Sequence, residues 1–170
     1  GTGKVSLKIS STVENAHAFF DQGLGQIHGF WYFEAERSFR QVAALDPNCA
    51  MAYWGMAIAN INNEGRAKSF IAEALKRKDK ASPREVKYIE ALHAFYHADA
   101  KKTKKDRAEK YIRDLERLLY DFPEEIEARS FLALSLWSGR DAGVPITSYI
   151  ALNAVLGEIF AVEPMHSSHH

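Results

Sequence analysis

Two of the seven histidines have the spacing of a metal-binding pair on one helix. His93 and His97 are four residues apart, so their side chains lie on the same helical face. Imidazoles at that spacing, with Asp99 close by, can bind zinc. The segment has no glutamate in the metalloprotease arrangement, and the spacing identifies no third ligand. We therefore interpret the pair as surface or groove histidines.

The end of the chain carries a second group, formed by His166, His169 and His170. These imidazoles can capture adventitious nickel or zinc, or they can belong to the start of a further helix. Neither interpretation makes the group a functional metal site. The sequence predicts no metal and no other cofactor.

Gly23, Gly25 and Gly29 superficially resemble a phosphate-binding loop. Their spacing differs from the dinucleotide fingerprint and no strand precedes them, so a helical role explains them better.

Cys49 stands at a predicted helix start, where a thiol pKa can fall. No paired base is evident from the sequence, so a packed cysteine is the simpler interpretation. The nucleophile elbow, the Walker loop and the metalloprotease motif are absent. We predict that the protein is not an enzyme.

The composition is that of an ordinary globular domain. The 170 residues include 22 basic and 22 acidic side chains, and the zero net charge argues against a general nucleic-acid binder. The single cysteine excludes an internal disulfide. No apolar stretch is long enough for a membrane span. A targeting segment could have been removed, so the sequence leaves cytoplasmic and exported locations open.

Apolar residues recur at three- and four-residue spacing along nearly the whole chain, which predicts an all-α fold. Ser82, Pro83 and Glu85 form a strong helix-start signal, and Pro47 and Pro123 end two helical units. The predicted helices cover about 13–28, 33–45, 49–60, 67–77, 82–97, 106–120, 124–137 and 146–162.

Five residues at fixed gaps indicate how these helices pair: Phe19, Gly23, Ala35, Phe39 and Pro47. A glycine, then a small residue, an aromatic and a proline at these positions resemble the tetratricopeptide repeat. The surrounding sequence is also similar to bacterial tetratricopeptide proteins of unassigned activity. Members of that group are usually longer and often exported, which implies that the chain is a fragment.

The resemblance implies a right-handed α-α superhelix, or solenoid, of about four tetratricopeptide-like hairpins over residues 12–164. Residues 1–11 form an N-terminal tail, in which Leu7 and Ile9 either pack in extended form or remain loosely ordered. Residues 165–170 are a C-terminal tail or the start of a truncated helix.

In this family the first helix of each hairpin lines a concave groove, so the resemblance also implies a binding surface. An apolar, aromatic groove would suit an amphipathic helix or an extended hydrophobic peptide. The alternative is that many of the groove residues bind no partner and instead pack against neighbouring helices or missing chain. The predicted function is a non-catalytic protein-interaction scaffold. The alternative is the helical structural or regulatory part of a larger exported protein. The groove set comprises His17, Phe20, Asp21, Leu24, Ile27, His28, Met51, Trp54, Ile58 and Asn62.

The last predicted helix has a broad apolar face that includes Ile150, Val155 and Ile159. Helical repeat arrays normally end with a polar outer face. We therefore expect this helix to be covered by missing chain, by a partner, or by a second copy in a homodimer.

Overall fold

The computed structural model describes residues 3–169, and over that range the protein is all-α. Eight helices pack as sequential antiparallel pairs, and no strand is present between residues 3 and 169. The predicted all-α class is therefore confirmed. The helices are α1 (Glu14–His28), α2 (Tyr32–Leu45), α3 (Ala50–Ile58), α4 (Glu64–Lys76), α5 (Pro83–Tyr96), α6 (Lys104–Asp121), α7 (Ile126–Ser138) and α8 (Tyr149–Val162).

Side-chain caps fix several helix starts. The Ser82 hydroxyl accepts the Glu85 N–H while the Glu85 carboxylate accepts the Ser82 N–H, which is the predicted capping box. Thr103 and Asp106 form a second box at the start of α6. Asn63 caps α4 by accepting the Arg66 N–H, so that helix begins earlier than predicted.

Phe39 of α2 lies at the centre of the first three helices. A Cβ added to Gly23 would stand 2.7 Å from the Phe39 ring, and one added to Gly55 would stand 2.4 Å from it. Glycine is required at both positions because only hydrogen leaves room for the ring. Phe20 meets the same ring edge to face at 5.2 Å, and Ala35 is fully buried. The predicted small residues, Gly23 and Ala35, therefore lie where helices approach each other closely, and Gly55 lies there as well.

The N-terminal segment packs against the helices in extended form. Leu7 and Ile9 are 2% and 3% exposed, so both belong to the core. The Leu7 N–H donates to the Asp21 carboxylate at 3.0 Å, and the Ser10 N–H donates to Glu85 at 2.7 Å. These contacts hold residues 5–10 across α1 and α5.

The C-terminal segment returns to the body of the protein after α8. It contains a short 3₁₀ turn, Ser167–His169, that contacts α1. The Lys4 N–H donates to the Met165 carbonyl at 2.9 Å, which ties the two ends of the chain together. Gly1 and Thr2 of the predicted N-terminal tail, and His170 of the predicted C-terminal one, lie outside the described residues. No helix within residues 3–169 is long and apolar enough to cross a membrane.

Candidate functional site

Five of the six apolar residues in the predicted groove lie inside the protein. Phe20, Leu24, Ile27, Met51 and Trp54 are each at most 2% exposed. Side chains with so little exposed surface cannot contact a partner without unfolding of the surrounding helices. For these five residues the structure matches the packing alternative.

The other groove residues are dispersed. His17 and Asp21 are half-buried on α1, where His17 Nε2 lies 3.0 Å from the Ser11 carbonyl. Ile58 is half-buried at the end of α3, and Asn62 is exposed in the following turn. His28 is buried in a polar cluster at the end of α1. The ten residues therefore form no single accessible surface.

An apolar depression, which we call the aromatic groove, lies instead where the odd-numbered helices end. It consists of two adjoining cavities of about 290 and 320 Å³ that share Phe30, Leu134 and Trp137. The ends of α1, α3, α5 and α7 all contribute, together with the first half of α6 and one face of α8. Its other apolar or aromatic lining residues include Tyr32, Ile58, Ile61, Leu92, Phe95, Tyr96, Tyr111, Phe131, Leu152 and Leu156.

Large apolar side chains stand exposed at this groove. Phe30, Ile61 and Trp137 are 47%, 54% and 43% exposed. The Arg140 guanidinium lies 4.4 Å from the centre of the Trp137 ring, which holds the indole in place. Apolar patches of this kind on a folded surface commonly mark interaction sites.

Phe30 adopts a backbone conformation that disfavours its own side chain. Its φ is 60°, and within residues 3–169 it alone among non-glycine residues has a positive φ. The Phe30 N–H donates to the Ile27 carbonyl at 3.0 Å and the Trp31 N–H donates to the Gln26 carbonyl at 2.8 Å. This pair of bonds is a Schellman motif, in which glycine usually occupies the left-handed position. A phenylalanine there points to a role for the side chain itself.

A second candidate site is the buried cluster of His28, Glu127 and His166. His28 Nε2 lies 2.8 Å from one Glu127 carboxylate oxygen, and His166 Nε2 lies 2.9 Å from the other. His28 is the last residue of α1, Glu127 stands in the first turn of α7, and His166 follows α8. All three side chains are at most 3% exposed.

Two serines extend this cluster. Ser130 Oγ lies 3.4 Å from His28 Nδ1, and Ser168 Oγ lies 2.7 Å from His166 Nδ1. The two hydroxyls are also 2.5 Å apart, so a continuous chain of hydrogen bonds joins both histidines. The backbone tie between Lys4 and Met165 positions the segment that carries His166.

The electrostatics of the cluster depend on Glu127. Burial alone raises the pKa of this carboxyl, but hydrogen bonds from His166 and His28 outweigh burial and lower the pKa to about 2. Burial also raises the pKa of the nearby Asp21, and the Glu127 charge raises it further. Glu127 is therefore a buried anion with a second carboxylate near it.

The other histidines singled out from the sequence form no comparable cluster. The rings of His93 and His97 stack at 4.4 Å, and burial together with His97 lowers the pKa of His93. Asp99 does not complete a metal-ligand set with them among the described residues. His169 stacks on Phe160 at 3.9 Å. Of the terminal histidines that are described, only His166 enters a buried polar site.

Sequence reasoning missed Glu127, Phe30 and Trp137. Glu127 follows two other acidic residues at a helix start, where acidic side chains are ordinary, so nothing local distinguishes it. Phe30 and Trp137 lie at helix ends, outside the periodic apolar faces. No protein-family model, curated protein or solved structure matches this chain.

Proposed function

We propose that this protein is a non-catalytic, tetratricopeptide-like solenoid scaffold that binds an amphipathic helix of a partner protein in the aromatic groove. The observation that carries the proposal is the exposure of Phe30, Ile61 and Trp137 around an apolar depression. Aromatic side chains held in such positions are frequent hot spots of protein interfaces. The fold supplies a rigid support, since four helix ends converge there.

The lining favours a helix over an extended peptide. A peptide that binds by strand addition needs a sheet edge, and residues 3–169 contain no strand. A helix satisfies its backbone groups internally and offers apolar side chains every three or four residues. Two adjoining cavities along the groove suit two such side chains. The ends of the four odd-numbered helices also carry partial negative charge, which favours a partner helix with basic flanking residues.

The test is selection from a displayed library of amphipathic peptides of about sixteen residues, roughly four helical turns. Affinities of the selected peptides are then measured by fluorescence anisotropy. We expect Trp137→Ala to weaken binding by about 2 kcal/mol, or roughly thirty-fold. Tyr120→Ala is the matched control, because Tyr120 is 87% exposed at the far end of α6 and does not line the groove.

Three results would contradict the proposal. One is the failure to select any helical peptide, and another is equal binding by Trp137→Ala and the unaltered chain. The third is occupation of the groove by a second copy through α8, where Tyr149, Ile150 and Val162 are exposed. Sedimentation equilibrium detects that case as a homodimer that the selected peptides do not dissociate.

A further inference from the structure

We propose that His28, Glu127 and His166 form a binding site for a divalent transition-metal ion, with zinc as the expected occupant. One ligand atom from each residue lies within 4.8 Å of the others, and all three residues are buried. Two histidines and one glutamate are the protein ligands of a common class of catalytic zinc sites, and the same set also suits iron. The site adjoins the aromatic groove through His28, but its test does not require that a peptide binds there.

The ligand atoms are already close to the separations that a metal requires. The two contacts between imidazole Nε2 atoms and the Glu127 carboxylate are 2.8 and 2.9 Å long. Ligands about 2.0–2.2 Å from a tetrahedral zinc stand roughly 3.4 Å from one another. Each contact therefore needs to widen by about half an ångström, which side-chain torsions can supply.

Charge balance gives a second argument. Among residues 3–169, the ion-pair partners of Glu127 are His28 and His166, which are charged only when protonated. Asp21 contributes a further carboxylate near Glu127. Burial of a carboxylate is unfavourable unless a cation accompanies it. A divalent ion between the histidines and Glu127 supplies that cation.

The serines provide suitable outer partners for both imidazoles. In metal sites the second ring nitrogen of a histidine ligand usually donates to an oxygen, which fixes the tautomer. Ser130 Oγ and Ser168 Oγ stand at 3.4 and 2.7 Å from the two Nδ1 atoms. Without a metal, His166 Nδ1 accepts the Ser168 N–H at 3.1 Å, so Nε2–H donates to Glu127. Metal binding therefore requires the other tautomer of His166, whose Nδ1–H can donate to Ser168 Oγ once the Ser168 N–H turns away from the ring, and this change of tautomer is measurable.

A cavity lies beside His28, one of the three proposed ligands. The cavity of about 320 Å³ is lined by His28, Ser130 and Ser168, and it continues between Phe30 and Trp137. Catalytic metal sites keep one coordination position for water or substrate, whereas structural sites are closed by four protein ligands. Three protein ligands leave a fourth tetrahedral position for water, and the cavity beside His28 is the nearest space from which water could reach it.

The experiment is a Co²⁺ titration of the chelator-treated chain, followed by visible absorption and then by competition with Zn²⁺. The chain is purified without immobilised metal, because the exposed His169 near the C-terminus can capture nickel. We expect one tightly bound ion per chain, with the intense d–d bands of four- or five-coordinate cobalt, displaced by zinc. Glu127→Gln and His28→Asn should each weaken binding by more than about 100-fold, which exceeds the effect of losing an outer partner.

The matched control is the double variant His93→Asn, His97→Asn, which removes the stacked imidazole pair outside the cluster and should leave the affinity unchanged. Histidine ¹⁵N chemical shifts of the unaltered chain provide a test that no folding defect can confound. Zinc should convert the His166 Nε2 signal from a protonated to a metal-bound nitrogen. Unchanged ¹⁵N shifts in saturating zinc would overturn the proposal. Cobalt binding that survives Glu127→Gln but is lost in the control variant would do the same.

Discussion

Replacement of Phe30 tests whether the turn between α1 and α2 is strained in order to present an aromatic side chain. Phe30 occupies the left-handed position of a Schellman motif, with φ at 60°. A residue with a Cβ is disfavoured there by about 1–2 kcal/mol. The informative comparison is between Phe30→Gly and Phe30→Ala, since both remove the ring and only glycine removes the strain.

The expected magnitudes follow from the geometry. Glycine recovers the left-handed penalty but loses about 0.5–1 kcal/mol through the greater freedom of the unfolded chain. Phe30→Gly should therefore be more stable than Phe30→Ala by about 1 kcal/mol, which reverses the order at an ordinary helical position. The ring is 47% exposed and meets Tyr32 edge to face at 6.3 Å. Its loss costs about 1 kcal/mol in either variant, so Phe30→Gly should have nearly the stability of the unaltered chain.

Urea unfolding followed by circular dichroism measures the free energy of unfolding of all three proteins. A difference of 1 kcal/mol corresponds to about 2–4 °C in Tm for a domain of this size, so thermal scans provide a second measurement. Equal stability of the two variants, or a more stable alanine variant, would refute the strain argument. Peptide affinity measured on the same samples should fall in both variants. Full affinity in Phe30→Gly would show that the ring does not contact the partner.

Two further predictions concern the core. Gly55→Ala should destabilise the protein by about 1–3 kcal/mol, because its Cβ would stand 2.4 Å from the Phe39 ring. Gly157→Ala in α8 is the control: its Cβ would meet no atom within 4 Å, so it should stabilise the protein by up to about 1 kcal/mol. Equal effects of the two substitutions in urea unfolding would contradict the packing described. Burial raises the pKa of the Cys49 thiol from its ordinary value of 9.0 to about 11. This cysteine therefore contributes stability that is present below about pH 9 and is lost as the pH rises towards 11. Unfolding free energies across that range should decline less steeply in Cys49→Ala, and an identical pH dependence would refute the prediction.

Local signals made most of the helices predictable. The capping box of Ser82 and Glu85 and the breaks at Asp46-Pro47 and Pro123 depend on a few neighbouring residues, and these boundaries lie within about two residues of the prediction. The predicted start of α4 at about residue 67 lies three residues too late, because a glycine at position 65 is unfavourable inside a helix. Asn63 caps the helix ahead of that glycine, so α4 includes it.

The location of the groove was not predictable in the same way. Periodicity identifies the apolar face of a helix, but it does not distinguish a face packed on the core from one that lines a groove. Phe20, Leu24 and Trp54 satisfy the pattern and are buried. Phe30 and Trp137 lie where helices end, so their position depends on how four helix ends converge, which is a property of the tertiary structure.

The two features that local rules cannot explain occur side by side. His28 and Phe30 are two residues apart, and both line the cavity of about 320 Å³. One carries a strained backbone, and the other faces a buried carboxylate contributed from 99 residues further along the chain. Natural sequences depart from locally favourable choices chiefly at functional sites. A glycine at position 30 and apolar residues in place of His28 and Glu127 would satisfy the fold with less strain and less buried charge. The end of α1 is therefore the region where the sequence is least explained by folding alone, and both proposed sites include it.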